Sequence, residues 1–253
     1  MTSNRQIDSY SLPEKMTETM SYILLIASAL LGGGLVFVFK NKLVKSIKLF
    51  TAFSGAFLLA ICFLHLMPEI FSHYNKTVGL FILLGFLVQL LLEFFSDGIE
   101  HGHYHAHAKK LVAFPVAIFL SLCIHSFLEG MALMDQGHSH GEYEGNSLLI
   151  GILIHKIPVA IVLATLLISK NLSKVTFVVG MLIFALSAPL GLFLASQESL
   201  PIHQHPEIVL AIAIGIFLHI STTILFESSE GHRFDLKKFV IVILGFAVAF
   251  FTQ

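Results

Sequence analysis

Charge is what this 253-residue chain lacks. Only 12% of its residues are Asp, Glu, Lys or Arg, about half the share in an average soluble domain. Hydrophobic residues make up 56%, and the mean hydropathy is +0.85. Such a chain reads as an all-α integral membrane protein embedded in a lipid bilayer. The net charge of −1 gives no basic surplus to attract nucleic acid. There are two cysteines, Cys62 and Cys123. Both sit in apolar runs, so they suggest no disulfide framework. Neither a Walker-type phosphate loop nor a His-Glu-x-x-His stretch is present. The first twenty residues are polar and mix acids with bases, unlike a secretory signal. The first apolar segment is therefore expected to remain as a span.

What is present is length in apolar runs. Eight can be read, at about 21–39, 49–70, 77–95, 111–135, 146–169, 175–196, 206–227 and 236–253. Most have roughly the 17–25 residues a helix needs to cross a bilayer. The domain reading is a polar N-terminal segment, 1–20, then an eight-helix transmembrane domain, 21–253, with a histidine-rich loop at 96–110. Orientation follows from the basic loop residues. With both termini outside, eleven of the fifteen Lys and Arg face the cytoplasm, three face outward, and Lys156 lies within a span.

Ionisable groups inside such spans are costly and usually functional. The segment 121–164 concentrates them. On a helix at roughly 100° per residue, Ser121, His125, Glu129 and Asp135 share an arc of about 120°, with Ser126 at its flank. His125 and Glu129, four apart, can bind one ion together. Span 5 carries His155, Lys156 and Pro158. His125 and His155 fall at matching depth near the middle of their antiparallel spans. Two imidazoles and a carboxylate, with Ser126 as a weak fourth donor, suit Zn²⁺ and other first-row divalents better than Mg²⁺ or Ca²⁺. Lys156 reads as a partner of Glu129, as an occupant of a second ion's place, or as a snorkelling cation. A structural His–Glu–Lys network is the rival reading of the whole constellation.

Elsewhere, His65 and Glu69 on span 2 read either as entrance ligands or as interfacial polar residues, and Asp135 extends the stripe outward. His101, His103, His105 and His107 alternate in the loop after span 3, the composition of a weak, exchangeable metal binder on the cytoplasmic side. Gln89 and Glu93 lie toward the inner end of span 3, with Glu93 expected to be solvated. His219, midway along span 7, is expected to hydrogen-bond a neighbouring helix. His203 and His205, with His138, His140, Glu142 and Glu144, read as outer loop surface or as ion collectors.

At His125-Ser126-Phe127-Leu128-Glu129-Gly130 and His155-Lys156-Ile157-Pro158-Val159-Ala160 the chain resembles the ZIP family of divalent-metal transporters. Phe63-Leu64-His65-Leu66-Met67-Pro68-Glu69 and Ser187-Ala188-Pro189-Leu190-Gly191 resemble it as well. The resemblance implies a ZIP-like bundle in the cell membrane, often a homodimer, that delivers Zn²⁺ or a related ion to the cytoplasm. The ion would be a substrate and not a cofactor. The resemblance implies ligands at His125, Glu129 and His155, and movement of spans 1, 4, 5 and 6 against 2, 3, 7 and 8. Many members carry Asn at the place of Ser126, an acid at Lys156 and Glu at Val159, which together complete a two-metal centre. With Lys156 and Val159 here, one ion per site is expected.

Two other functions compete with transport. An intramembrane zinc hydrolase would use His125, His155 and His219 as ligands and Glu129 as general base. A metal sensor would signal through the histidine-rich loop, although no output domain is legible.

Overall fold

The computed structural model describes residues 14–73, 77–96, 114–134, 144–227 and 236–252. Among them every regular element is helical. The first helix, α1, runs Glu14–Ile61 and passes through a π-helical turn, Cys62–Leu66, into α2, Met67–His73. There follow α3 (Val78–Ser96), α4 (Val116–Met131), α5 (Glu144–Ser169), α6 (Lys174–Ala195), α7 (Pro206–Glu227) and α8 (Leu236–Phe251). A short 3-10 turn, Pro201–Gln204, precedes α7.

Six stretches are long and apolar enough to cross a membrane: Thr19–Val38, Ile47–Ser72, Val78–Ser96, Ser147–Ser169, Lys174–Ala195 and Pro206–Phe226. The remaining two expected spans, α4 and α8, are sixteen-residue helices. Helix α1 begins at Glu14, inside the segment read from sequence as a polar leader to the bundle.

Although α1 is one helical run, it cannot be straight. A Cβ added at Gly32 would meet the carbonyl of Ile157, and one at Gly151 would meet Leu58 and Ile61. Residues 32 and 58 would stand ~39 Å apart on a straight helix, whereas residues 151 and 157 on α5 are ~9 Å apart. The run therefore folds back between its two apolar stretches, and both lie against α5. The turn from α5 to α6 is tight for local reasons. Asn171 takes φ 51°, a left-handed conformation that asparagine tolerates. Ser173 then caps α6 by accepting from the Thr176 amide at 3.1 Å. The π turn ends just before Pro68, which has no N–H to give to the Leu64 carbonyl.

Two helix pairs are locked by glycine. A Cβ at Gly85 would lie 2.0 Å from the Ile212 carbonyl, and one at Gly215 1.9 Å from that of Ile82. The α4–α6 pair repeats this pattern. Gly130 would meet the Ala188 carbonyl at 1.9 Å and Gly191 that of Phe127 at 2.0 Å. Only glycine permits such backbone approach, a familiar way for helices to associate in lipid. In both pairs the helices run parallel. His219 touches both Phe86 and Glu93 on α3, and Gly180 on α6 backs onto Phe119. An antiparallel register through the same glycines would separate these residues by several turns. Parallel α3/α7 and α4/α6 are what alternating crossings through eight spans require.

The bundle is apolar outside and polar at its middle. On α3, Leu80, Leu83, Leu87 and Leu91 are exposed, while Gln89 and Ser96 are fully buried. Two buried apolar clusters lie along the bundle. One takes Leu148, Leu149 and Ile152 of α5 with Ala188 and Leu192 of α6. The other takes Val159–Leu167 of α5 with Met181, Phe184 and Ala185 of α6. His155 and Lys156 fall between them in sequence and at the same level as His125 of α4.

Candidate metal site

The cluster is assembled from α4 and α5. On α4 the four-residue spacing of Ser121, His125 and Glu129 puts all three on the buried face, while Val116, Leu120 and Ile124 face outward. Helix α5 brings His155 and Lys156, both essentially inaccessible. Pro158 leaves the Ile154 carbonyl without its usual helical donor one turn earlier.

Three donors converge. His125, Glu129 and His155 each offer one ligand atom, and these atoms all lie within 4.8 Å of one another. His125 Nε2 stands 3.1 Å from Glu129 Oε1. The two imidazoles meet edge to face with centroids 5.9 Å apart. Among the described residues this is the group of histidines, cysteines and carboxylates with the spacing to hold a metal ion. Two nitrogens and an oxygen in a closed pocket suit a borderline ion such as Zn²⁺.

Lys156 completes the cluster without joining the donors. Its Nζ donates to Ser126 Oγ at 2.6 Å and to Glu129 Oε2 at 3.3 Å. It also lies 5.4 Å from the Phe184 ring centroid, a cation–π distance. At 1% exposure it does not snorkel to an interface. The pairing with Glu129, one of the sequence-level alternatives, is what the fold adopts. Glu129 thus divides its oxygens, one toward His125 and one toward the ammonium. Ser126, expected as a weak fourth ligand, has its hydroxyl oxygen turned to Lys156. An ammonium so near the carboxylate opposes any cation bound there.

Residues outside α4 and α5 support the imidazoles. Gln89 of α3, fully buried, places Oε1 3.2 Å from His125 Nδ1. Ser54 of α1 places Oγ 3.5 Å from His155 Nδ1. Ser121 Oγ donates to the Leu92 carbonyl at 2.6 Å, tying α4 to α3 one turn from the Gln89–His125 contact. Sequence reasoning gave Gln89 no role and passed over Ser54. A buried amide in a span was a usable signal for Gln89, whereas a serine in a helix gives none.

Glu93 differs from expectation. It is only partly exposed, and it meets His219 Nε2 of α7 in a short contact. Phe86 packs edge-on against the same imidazole, with centroids 4.7 Å apart. His219 thus makes the interhelical hydrogen bond expected of it. It stands outside the three-donor group, so the arrangement required for a hydrolase, with three histidine ligands and an unencumbered Glu129 base, is not assembled.

The other predicted residues are scattered. His65, in the π turn, and Glu69 are half-buried and outside the three-donor cluster. His205 Nδ1 lies 3.2 Å from Glu207 Oε1 at the surface, and His203 Nδ1 lies 3.3 Å from the Ala195 carbonyl. Asp135, His101, His103, His105, His107, His138, His140 and Glu142 lie outside the described residues, as does the side chain of Glu144.

Comparison with known proteins agrees with this geometry. The family model described as ZIP Zinc transporter matches residues 99–253. Zinc transporter ZIP9-B of Xenopus laevis is 24% identical over 176 residues, 65% of this chain and 58% of that protein. Zinc transporter ZIP1 of Homo sapiens is 24% identical over 252 residues, 81% of this chain and 77% of that protein. Protein zntD of Dictyostelium discoideum is 27% identical over 166 residues, 59% of this chain and 24% of that protein. The chain spans little more than half the length of the ZIP9 relatives it matches. With the family model covering more than half of the sequence, from the histidine-rich loop through α4 and α5 to the end, the chain belongs to the ZIP zinc transporter family.

Proposed function

We propose that this chain carries a divalent metal ion, Zn²⁺ above Fe²⁺, Mn²⁺ or Cd²⁺, across the membrane into the cytoplasm. The carrying site holds one ion between His125, Glu129 and His155. The observation behind this reading is the convergence of three buried donors in helices that otherwise present hydrocarbon. Burying two imidazoles and a carboxylate has a high cost, and a bound cation offsets it. Three protein ligands leave a coordination position open, so the ion can exchange. Nothing in such a cycle requires covalent chemistry.

Lys156 sets the stoichiometry. Its ammonium on Glu129 Oε2 takes the place of a second ion, so the site runs with one. The entrance is assigned to His65, Glu69 and Asp135, and the cytoplasmic exit to the loop of His101, His103, His105 and His107. Inward direction and outside termini rest on the basic loops. A homodimer and a place in the cell membrane rest on the family resemblance.

The test is uptake into proteoliposomes loaded with a metal-sensitive dye, offered Zn²⁺, Fe²⁺, Mn²⁺ and Cd²⁺ in turn. Wild type should accumulate Zn²⁺, and the His125→Ala/Glu129→Ala double variant, equally inserted, should not. Equal uptake by the two would move the site elsewhere.

A further inference from the structure

We propose that Gln89 on α3 and Ser54 on α1 are positioning residues that hold the protons of His125 and His155 on Nδ1, so that both rings turn Nε2 toward the ion. This rests on the single-ion site proposed above and extends it beyond the ligand-bearing helices.

The argument is one of proton counting. A neutral imidazole carries one N–H, and only its other nitrogen can ligate a metal. Which nitrogen keeps the proton is set by the hydrogen bond it makes. Ser54 has a single hydroxyl proton and gives it to the Thr51 carbonyl at 2.9 Å. Toward His155 Nδ1, 3.5 Å away, it therefore offers only lone pairs. The proton of that contact must come from the ring, and Nε2 is the nitrogen left for a metal.

His125 reaches the same state by a different route. Its Nδ1 faces Gln89 Oε1 at 3.2 Å, and a carbonyl oxygen can only accept. Its Nε2 then points into the cluster, 3.1 Å from Glu129 Oε1; without an ion that nitrogen also faces an acceptor-only oxygen, and a bound ion would take the place of any Nε2 proton. A reversed amide would present its NH₂ to Nδ1 and drive the ring proton onto Nε2, the nitrogen that must ligate. The bond from Ser121 to the Leu92 carbonyl holds α4 against α3 beside this contact, so the amide meets the ring at a distance fixed by the backbone. Two imidazoles on two helices are thus set by two residues on two others.

Removing either support leaves the ligand count intact but lets the ring adopt the wrong tautomer or turn away. The experiment is equilibrium Zn²⁺ binding by the full chain in nanodiscs, read by competition with a chromophoric chelator, with a thermal melt on each variant. Gln89→Leu should weaken binding about 10- to 100-fold, the usual cost of losing an outer-shell partner, at unchanged stoichiometry. Gln89→Glu, which keeps an acceptor, should stay within about threefold of wild type. Ser54→Ala should weaken binding about tenfold, and carries the test alone should Gln89→Leu not fold. In ¹⁵N-histidine spectra of the zinc-loaded protein, the signal lost in His125→Ala should be that of an Nδ1–H ring, and Gln89→Leu should shift it.

The proposal is overturned if Gln89→Leu and Ser54→Ala bind as wild type while His125→Ala does not. It is overturned as well if Gln89→Glu is as weak as Gln89→Leu, or if the His125 signal of the zinc-loaded protein is that of an Nε2–H ring. Wild-type affinity in His125→Ala would instead remove the single-ion site on which the proposal stands.

Discussion

Two polar groups lie within the bundle, one buried and one part-buried, and they are built differently. In the α4–α5 cluster, His125, Glu129 and His155 aim three donors at one point, with Lys156 held on the far oxygen of Glu129. Between α3 and α7, Glu93 and His219 simply meet each other. The second arrangement is one acid against one imidazole across a glycine-locked helix contact, with His219 Nδ1 buried and, among the described residues, unpartnered on the far side of the ring. The first brings three ligand atoms within 4.8 Å of one another, which is the arrangement a bound cation needs. Buried ionisable residues in a membrane protein therefore divide by convergence, not by type.

The sharpest way to break this contrast is to remove one carboxylate from each group. Glu129→Ala should lower Zn²⁺ affinity at least 100-fold and abolish uptake. Glu93→Gln should leave affinity within about threefold, since an amide still hydrogen-bonds His219. Chelator competition on both variants reads the difference, and equal losses would mean that the two groups act as one site.

Packing separates the groups as well. At Gly130 an added Cβ would lie 1.9 Å from the Ala188 carbonyl, and at Gly215 1.9 Å from that of Ile82. Backbone must move in either case, at a cost of about 3 kcal/mol or more. Gly130→Ala should disturb the metal cluster and reduce Zn²⁺ binding along with the melting temperature. Gly215→Ala should lower the melting temperature by as much and affect binding less. Thermal melts with and without Zn²⁺ distinguish them. Gly34, with open space around the same added atom, should tolerate alanine without change in either.

A subtler change sharpens the account of Lys156. Replacing it by glutamate exchanges the fixed ammonium for a donor. Lys156→Glu should raise bound metal from one ion per chain to two, measured as metal content after equilibration with excess Zn²⁺. Unchanged stoichiometry would show that the lysine does not stand in a second ion's place. The smallest effect is expected at His219. His219→Gln should lower stability by about 1 kcal/mol, the net worth of one hydrogen bond, and leave Zn²⁺ affinity unchanged.

Much of the fold was legible because a bilayer permits few solutions. Among the described residues the apolar runs fall in helices, with six stretches long and apolar enough to cross a membrane, and the positions of α3, α5, α6 and α7 follow their hydropathy closely. Continuity was not legible: the basic stretch after the first span reads as a loop, yet α1 keeps helical backbone up to and beyond its fold-back. Of the site, the convergence of His125, Glu129 and His155 could be read from four-residue spacing and matched depth. The partner of Lys156 could not be chosen, because depth alone allowed several. The partner of Glu93 was not legible because His219 is 126 residues away in sequence, and nothing local announces such a pair. Ser54 was invisible because its role depends on where its single proton goes.

The most direct test of the central claim is X-ray absorption at the zinc edge on the chain loaded with less than one equivalent of Zn²⁺. The account predicts a first shell with two imidazole nitrogens at about 2.0–2.1 Å and a carboxylate oxygen at about 2.0–2.2 Å, losing imidazole scattering in His125→Ala and again in His155→Ala. A spectrum unchanged by both substitutions would contradict it and place the ion elsewhere in the chain.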